Sequence, residues 1–212
     1  MIRRIAAVLA VLALLALAGG APAVSPGVAV AAKAPKPPPP RYLFAGVPWL
    51  VPGDTARVRL VERDYRAVPA ASDSHQTVLR GRLFDHDVLV TGYLDEKHRL
   101  LRWVVLIATR GDAFPYPDMR GVYDEATAEA KGRYGSARSI TERYRFPYQR
   151  NDGREDHALR DGLATIRTVW ESKSGDRLTI EMDADVSVVL TYECKEWAEF
   201  QERRQEKRGK DL

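Results

Sequence analysis

Residues Arg99 to Thr109, RLLRWVVLIAT, place apolar side chains on both faces of an extended chain. One face carries Leu101, Trp103, Val105 and Ile107, and the other carries Leu100, Val104, Leu106 and Ala108, broken only by Arg102. Side chains alternate across a strand, so such a segment must lie inside a sheet and be covered on both sides. Two more β-rich runs precede it, Thr77–Phe84 and Val88–Leu94, set off by the turns Asp85-His86-Asp87 and Asp95-Glu96-Lys97-His98. Short polar turns between such runs specify two consecutive hairpins. A single layer of helices covers only one face of the resulting sheet. The segment Phe44–Trp49 and a second chain are the candidates for covering the other.

A helix is expected before and after this meander along the chain. Asp54 follows Pro52-Gly53 and reads as a helix N-cap, with Val58, Val61 and Tyr65 at i, i+3 and i+7 and Leu60 widening the stripe as far as Val68. The second helix, capped by Asp118, has a stripe of Met119, Val122, Tyr123, Ala126, Ala130 and Tyr134, and Gly135 stands at its C′ position. Beyond it, strands are expected over Ser139–Phe146, Leu163–Glu171, Arg177–Met182 and Val186–Cys194, with one or two helical turns over Glu155–Arg160. A charged helix, 195–208, closes the chain on Trp197 and Phe200. Runs of strands after each helix predict an α+β fold: an antiparallel sheet of about seven strands with helices packed on one face. The order also predicts two α-β-meander repeats, 42–110 and 111–200, within one domain spanning 42–212.

The chain begins with a different chemistry. Met1-Ile2-Arg3-Arg4 precedes an unbroken apolar run of 14 residues, Ile5–Ala18, followed by small residues with candidate cleavage sites after Ala23 and near Ala32. That order is the signature of a secretory signal peptide over 1–32, and predicts a periplasmic or secreted protein. The run is short of the ~20 residues of a spanning helix, the alternative being an uncleaved anchor. Lys33–Arg41 is a Pro-rich spacer of polyproline II type, which a proline-binding partner could also read. Five basic and no acidic residues precede Tyr42, so the net charge of +4 becomes 28 basic against 29 acidic from Tyr42 onward. The basicity belongs to the leader and argues against a nucleic-acid partner.

Gly46-Val47-Pro48-Trp49 ahead of a helix, Tyr134-Gly135 at a helix end, and Val188-Val189-Leu190-Thr191-Tyr192 ahead of Trp197 carry a resemblance. Together they resemble exported bacterial proteins similar to the helix-plus-meander modules of β-lactamase-inhibitor proteins and small outer-membrane-assembly lipoproteins. The likeness spans most of Tyr42–Phe200 and rests on short motifs. Leu50 stands where a Gly often follows the Trp, and no lipid-bearing Cys is present. The resemblance implies a binding or scaffolding role in the cell envelope and carries no catalytic residue onto this chain.

The residues themselves name no chemistry. His75, His86, His98 and His157 form no paired zinc motif, although topology brings His75 and His98 to one end of the sheet. Asp85/Asp87 and Asp183/Asp185 could ligate a hard cation, but Asp is first a turn former. Cys194 is the only cysteine, which excludes an internal disulfide and predicts a small buried side chain. No nucleophile elbow or phosphate loop occurs. The expectation is therefore a non-enzymatic binding module with no cofactor, no metal and no membrane span after signal cleavage. Its partner is another envelope protein or itself, and its candidate binding surface is Trp49, Trp103, Tyr144 and Tyr148. The alternatives are an envelope hydrolase assembled from scattered Asp, Glu and His, and a structural homodimer through the second sheet face.

Overall fold

The computed structural model describes residues 41–108 and 116–210. The expected signal peptide, 1–32, and the expected Pro-rich spacer up to Pro40 lie outside the described residues. Four helices are described: α1 Gly53–Val61, α2 Tyr116–Tyr134, α3 Glu155–Arg160 and α4 Lys195–Lys210. The strands are β1 Arg66–Ala67, β2 Gln76–Leu83, β3 His86–Leu94, β4 Leu100–Ile107, β5 Ser139–Tyr144, β6 Ala164–Glu171, β7 Arg177–Met182 and β8 Val188–Glu193. They form one antiparallel sheet of eight strands, in the order β1-β2-β3-β4-β8-β7-β6-β5. A helix followed by four strands therefore occurs twice, and the two meanders meet where β4 pairs with β8.

Register assigns each strand's two faces. Leu79, Val90, Val105, Leu190, Ile180 and Thr168 are successive partners across β2, β3, β4, β8, β7 and β6. Thr77, Gly92, Trp103, Tyr192, Leu178 and Trp170 form the adjacent row on the same face. These rows are largely buried, and α1 and α2 pack on this face. Tyr123 of α2 exchanges a hydrogen bond with Thr168 at 2.7 Å. Phe44 joins the same side, with its ring 6.0 Å from Trp103 and 5.9 Å from Tyr65. The segment Phe44–Trp49 thus covers the helix side, not the second face.

Two glycines let large rings lie flat on this side. A Cβ on Gly92 would stand 2.5 Å from the Trp103 ring, and one on Gly81 would stand 2.3 Å from the Tyr65 ring. Close approach, rather than a special dihedral, explains these glycines within strands.

Helix α2 buries Met119, Val122, Tyr123, Ala126 and Ala130, the expected stripe, and ends on Gly135 with φ +84°. Helix α1 differs from expectation. It stops at Val61, and its buried face is Gly53, Ala56 and Leu60, while Val58 and Val61 are about half exposed. The reason is a left-handed turn at Asp64, φ +66°, closed by Tyr65 N–H donating to the Leu60 carbonyl. That turn takes Tyr65 out of the helix and starts β1, an edge strand too short to leave a periodic signal. The β2–β3 connection is a two-residue turn with Phe84 and Asp85 both at positive φ, so His86 belongs to β3. Val186, φ +63°, turns rather than extends, and β8 begins at Val188.

Aspartates hold the turns. Asp95 accepts backbone N–H bonds from Lys97 and Arg99 and both guanidinium contacts of Arg99, at 2.7 to 2.9 Å. Burial opposes its ionisation, but these donors prevail and hold the carboxyl below its usual range. Asp183 accepts from the N–H groups of Asp185 and Ser187. Asp176, fully buried, accepts from Arg41 Nε at 3.0 Å and faces Lys195 N at 3.4 Å, which ties the start of the domain to the first residue of α4. Adding a methyl at Gly92 drives it into the Trp103 ring, so Gly92→Ala is expected to destabilise the domain by about 1–3 kcal/mol. Urea unfolding followed by tryptophan fluorescence reads that loss as a lower midpoint with an unchanged slope.

Candidate functional surface

The face opposite α1 and α2 carries the alternate residues of every strand. Its central row is Val78, Thr91, Val104, Thr191, Thr179 and Val169. The next row is Arg80, Leu89, Leu106, Val189, Glu181 and Arg167. Leu89, Val104, Leu106, Val169 and Val189 are each partly exposed, so a band of apolar side chains reaches solvent. Leu100, at the start of β4, bonds through its backbone to Leu50 and Val51, and its side chain is fully buried in the hydrophobic core.

Helix α4 meets this face where Tyr93 and Arg102 stand. Trp197 stacks near Tyr93 at 5.9 Å, and the Arg102 guanidinium lies over both rings, 5.1 Å from Trp197 and 5.7 Å from Tyr93. Arg102 Nε is also 3.3 Å from Glu193. The expected anchors of α4 are therefore its contacts: Phe200 is buried one turn beyond Trp197.

Charge on this face is uneven. Along the α4 end, Arg102 pairs with Glu193, and Glu171 pairs with both Arg138 and Arg177. At the opposite corner, Arg66 of β1 faces Arg80 of β2 directly, and Arg82 follows two residues on along the same side. An open groove of about 820 Å³ lies here, with Leu89, Leu106 and Ala108 in its lining beside the arginines. Such a groove can hold an anion, because guanidinium groups present planar sets of donors to oxyanions.

The aromatic candidates are not brought together. Trp49 and Trp103 are 5% and 0% exposed in the helix-side core, so neither ring is available to a ligand. Tyr144 lies on edge strand β5, half-buried, with its hydroxyl 3.3 Å from that of Tyr116 and 3.4 Å from Glu142. Tyr148 follows in the next loop, donating to Asp161 with Arg154 over its ring. Alternation along a strand shows which residues share a face, but Trp103 shares the face that the helices cover. Among the described residues, the most exposed large apolar side chains are Ile140 and Phe146, at 77% and 93%.

A second polar cluster lies beside β5. Glu142 accepts from Arg120 and forms an ion pair with Arg150, each at 3.1 Å, and Arg120 also bonds Asp124. Burial pushes the Tyr144 phenol well above its usual range, so it offers no base near neutrality. A groove of about 390 Å³ runs between α2 and the β5–β6 edge past Ile140, Thr141 and Thr168. This is an ion-pair network whose carboxylate is held by two guanidiniums, with no nucleophile and base in mutual reach.

His98 Nδ1 is 2.7 Å from the Ser74 carbonyl, so His75 and His98 do share one end of the sheet. Among the described residues, no group of three or more His, Cys, Asp or Glu gathers where it could hold a metal ion. No helix of the described residues is long and apolar enough to cross a membrane. Comparison of the chain with protein-family models, curated proteins and solved structures finds no match.

Cys194 is 2% exposed, and burial, reinforced by a hydrogen bond with Glu196, pushes its thiol up to about 12. A thiol so placed stays protonated and sterically shielded. The native protein is expected to resist a disulfide reagent at about pH 8 and to release one equivalent of chromophore only in denaturant. Rapid reaction of the folded protein would contradict this.

Proposed function

We propose that this chain is an exported, non-enzymatic binding or scaffolding module of the cell envelope. Its ligand surface is the sheet face opposite α1 and α2. The observation that carries the reading is the apolar band Leu89, Leu106, Val104 and Val189, which runs across β3, β4 and β8, with α4 meeting this face near Tyr93 and Arg102. An apolar patch rimmed by charged residues is characteristic of interaction sites. Eight hydrogen-bonded strands make a rigid platform, so a partner meets side chains already in place. The envelope location rests on the basic start, the apolar run Ile5–Ala18 and the small residues that follow.

Two measurements test this reading. The purified protein immobilised on resin is expected to retain a defined set of envelope components, and Leu106→Arg, which puts a charge into the band, is expected to reduce that capture at least about tenfold. Circular dichroism controls for folding, and an identical captured set for both proteins would sink the assignment of the face. For export, residues 1–60 fused to alkaline phosphatase, which is active only where disulfides form, are expected to give activity in a bacterial host. Activity that persists without residues 1–32 would refute the export reading.

A further inference from the structure

We propose that Arg66, Arg80 and Arg82, with Leu89 and Leu106, form a binding site for an anionic amphiphile. Its phosphate head is held by the arginines, and its apolar part lies along the leucines. The inference rests on the reading of this sheet face as the binding surface and names the ligand chemistry at one corner of it.

Three observations carry it. First, Arg66 and Arg80 are directly opposed across β1 and β2. Like charges in that position weaken a sheet, so stability does not explain the pair. Second, the corner is poorly neutralised. Arg66 and Arg80 make no ion pair or side-chain hydrogen bond with the described residues, while Arg82 donates to the Asp85 carbonyl at 2.8 Å and lies 3.9 Å from the Asp85 carboxylate. The acidic groups nearby are Asp64 at the rim, Asp85 in the hairpin turn, and Asp87, which faces Arg82 and is itself engaged. At the α4 end of the same face, by contrast, Arg102, Arg138 and Arg177 each meet a carboxylate.

Third, the register places an apolar track beside the charges. Leu89 is the cross-strand partner of Arg80, Leu106 of Leu89, and Val189 of Leu106. A head group at β1–β2 therefore has an apolar path leading away toward β8. The groove, about 820 Å³, falls within the range of small-molecule sites, ~300–1,000 Å³. An inorganic anion would use the arginines and leave the leucines wet. Burial of an attached alkyl chain removes that surface from water, at ~0.8 kcal/mol per methylene.

Membrane lipids and free alkyl phosphates share this chemistry. The test uses isothermal titration of the purified protein with monohexyl phosphate and with inorganic phosphate at low ionic strength. Wild type is expected to bind hexyl phosphate at least about tenfold more tightly than phosphate. The double variant Arg66→Gln/Arg80→Gln, whose side chains are exposed, is expected to keep its circular dichroism and unfolding midpoint and to lose at least about tenfold for both anions. Leu106→Gln is expected to shrink the advantage of hexyl phosphate and leave inorganic phosphate unchanged. Sedimentation with phosphatidylcholine vesicles, with and without phosphatidylglycerol, then separates the sources. Arginine-dependent co-pelleting with anionic vesicles assigns a lipid head group, and hexyl phosphate binding without co-pelleting assigns a free amphiphile. Equal affinity for the two anions, affinity that survives the double substitution, or no binding of hexyl phosphate each overturns the site. Capture that depends on Leu106 while hexyl phosphate fails overturns the anion site alone. Loss of that dependence with hexyl phosphate still bound overturns only the wider reading of the face.

Discussion

The antiparallel pairing of β4 with β8 is the contact on which the architecture depends. Each meander alone would leave a long edge of unpaired N–H and C=O groups, in strands too apolar to face water. Joining Trp103 to Tyr192, Val105 to Leu190 and Ile107 to Val188 removes both edges and buries the largest side chains at the middle of the sheet. The strands left at the edges are β1, two residues long, and β5, whose loop and faces carry charged side chains. Both are common ways of blunting an edge.

That pairing also creates the asymmetry from which function is argued. Helices α1 and α2 cover the same face of the combined sheet, α1 over β1 and β2 and α2 over β7 and β8. The opposite face is left to α4, which reaches it through Trp197 where Arg102 and Tyr93 provide a landing. Asp176 holds that arrangement from behind: a buried carboxylate in the β6–β7 turn meets both Arg41 and the start of α4. The exposed remainder divides into an apolar band, a neutralised end and a cationic corner. None of these divisions is required by the fold.

Much of the framework was legible along the chain because it depends on local rules. The α2 stripe, its Gly135 stop, the turns at Asp95 and Asp183 and most strand bounds follow from periodicity and turn chemistry, and they recur in the structure. Where the reading differed, a non-local or special backbone feature intervened. The left-handed Asp64 ended α1 early and produced β1, and the helix then buried Ala56 and Leu60 instead of Val58 and Val61. Trp49 and Trp103 read as surface candidates because aromatic residues often bind ligands, yet they supply the packing under Phe44 and α1.

The arginine corner had no signal in the sequence. Arg66 falls in the stretch expected to be helical and Arg80 and Arg82 in the strand Thr77–Phe84, and only the β1–β2 register sets Arg66 and Arg80 opposite each other. By itself, then, the sequence determined that this chain makes an antiparallel α+β domain whose central strand is apolar on both faces. Side-chain alternation and turn geometry are local properties. Tertiary structure decided how the halves join, which face the helices cover, and where unneutralised charge meets the apolar band, because strand order and cover are set by contacts between residues far apart in the chain.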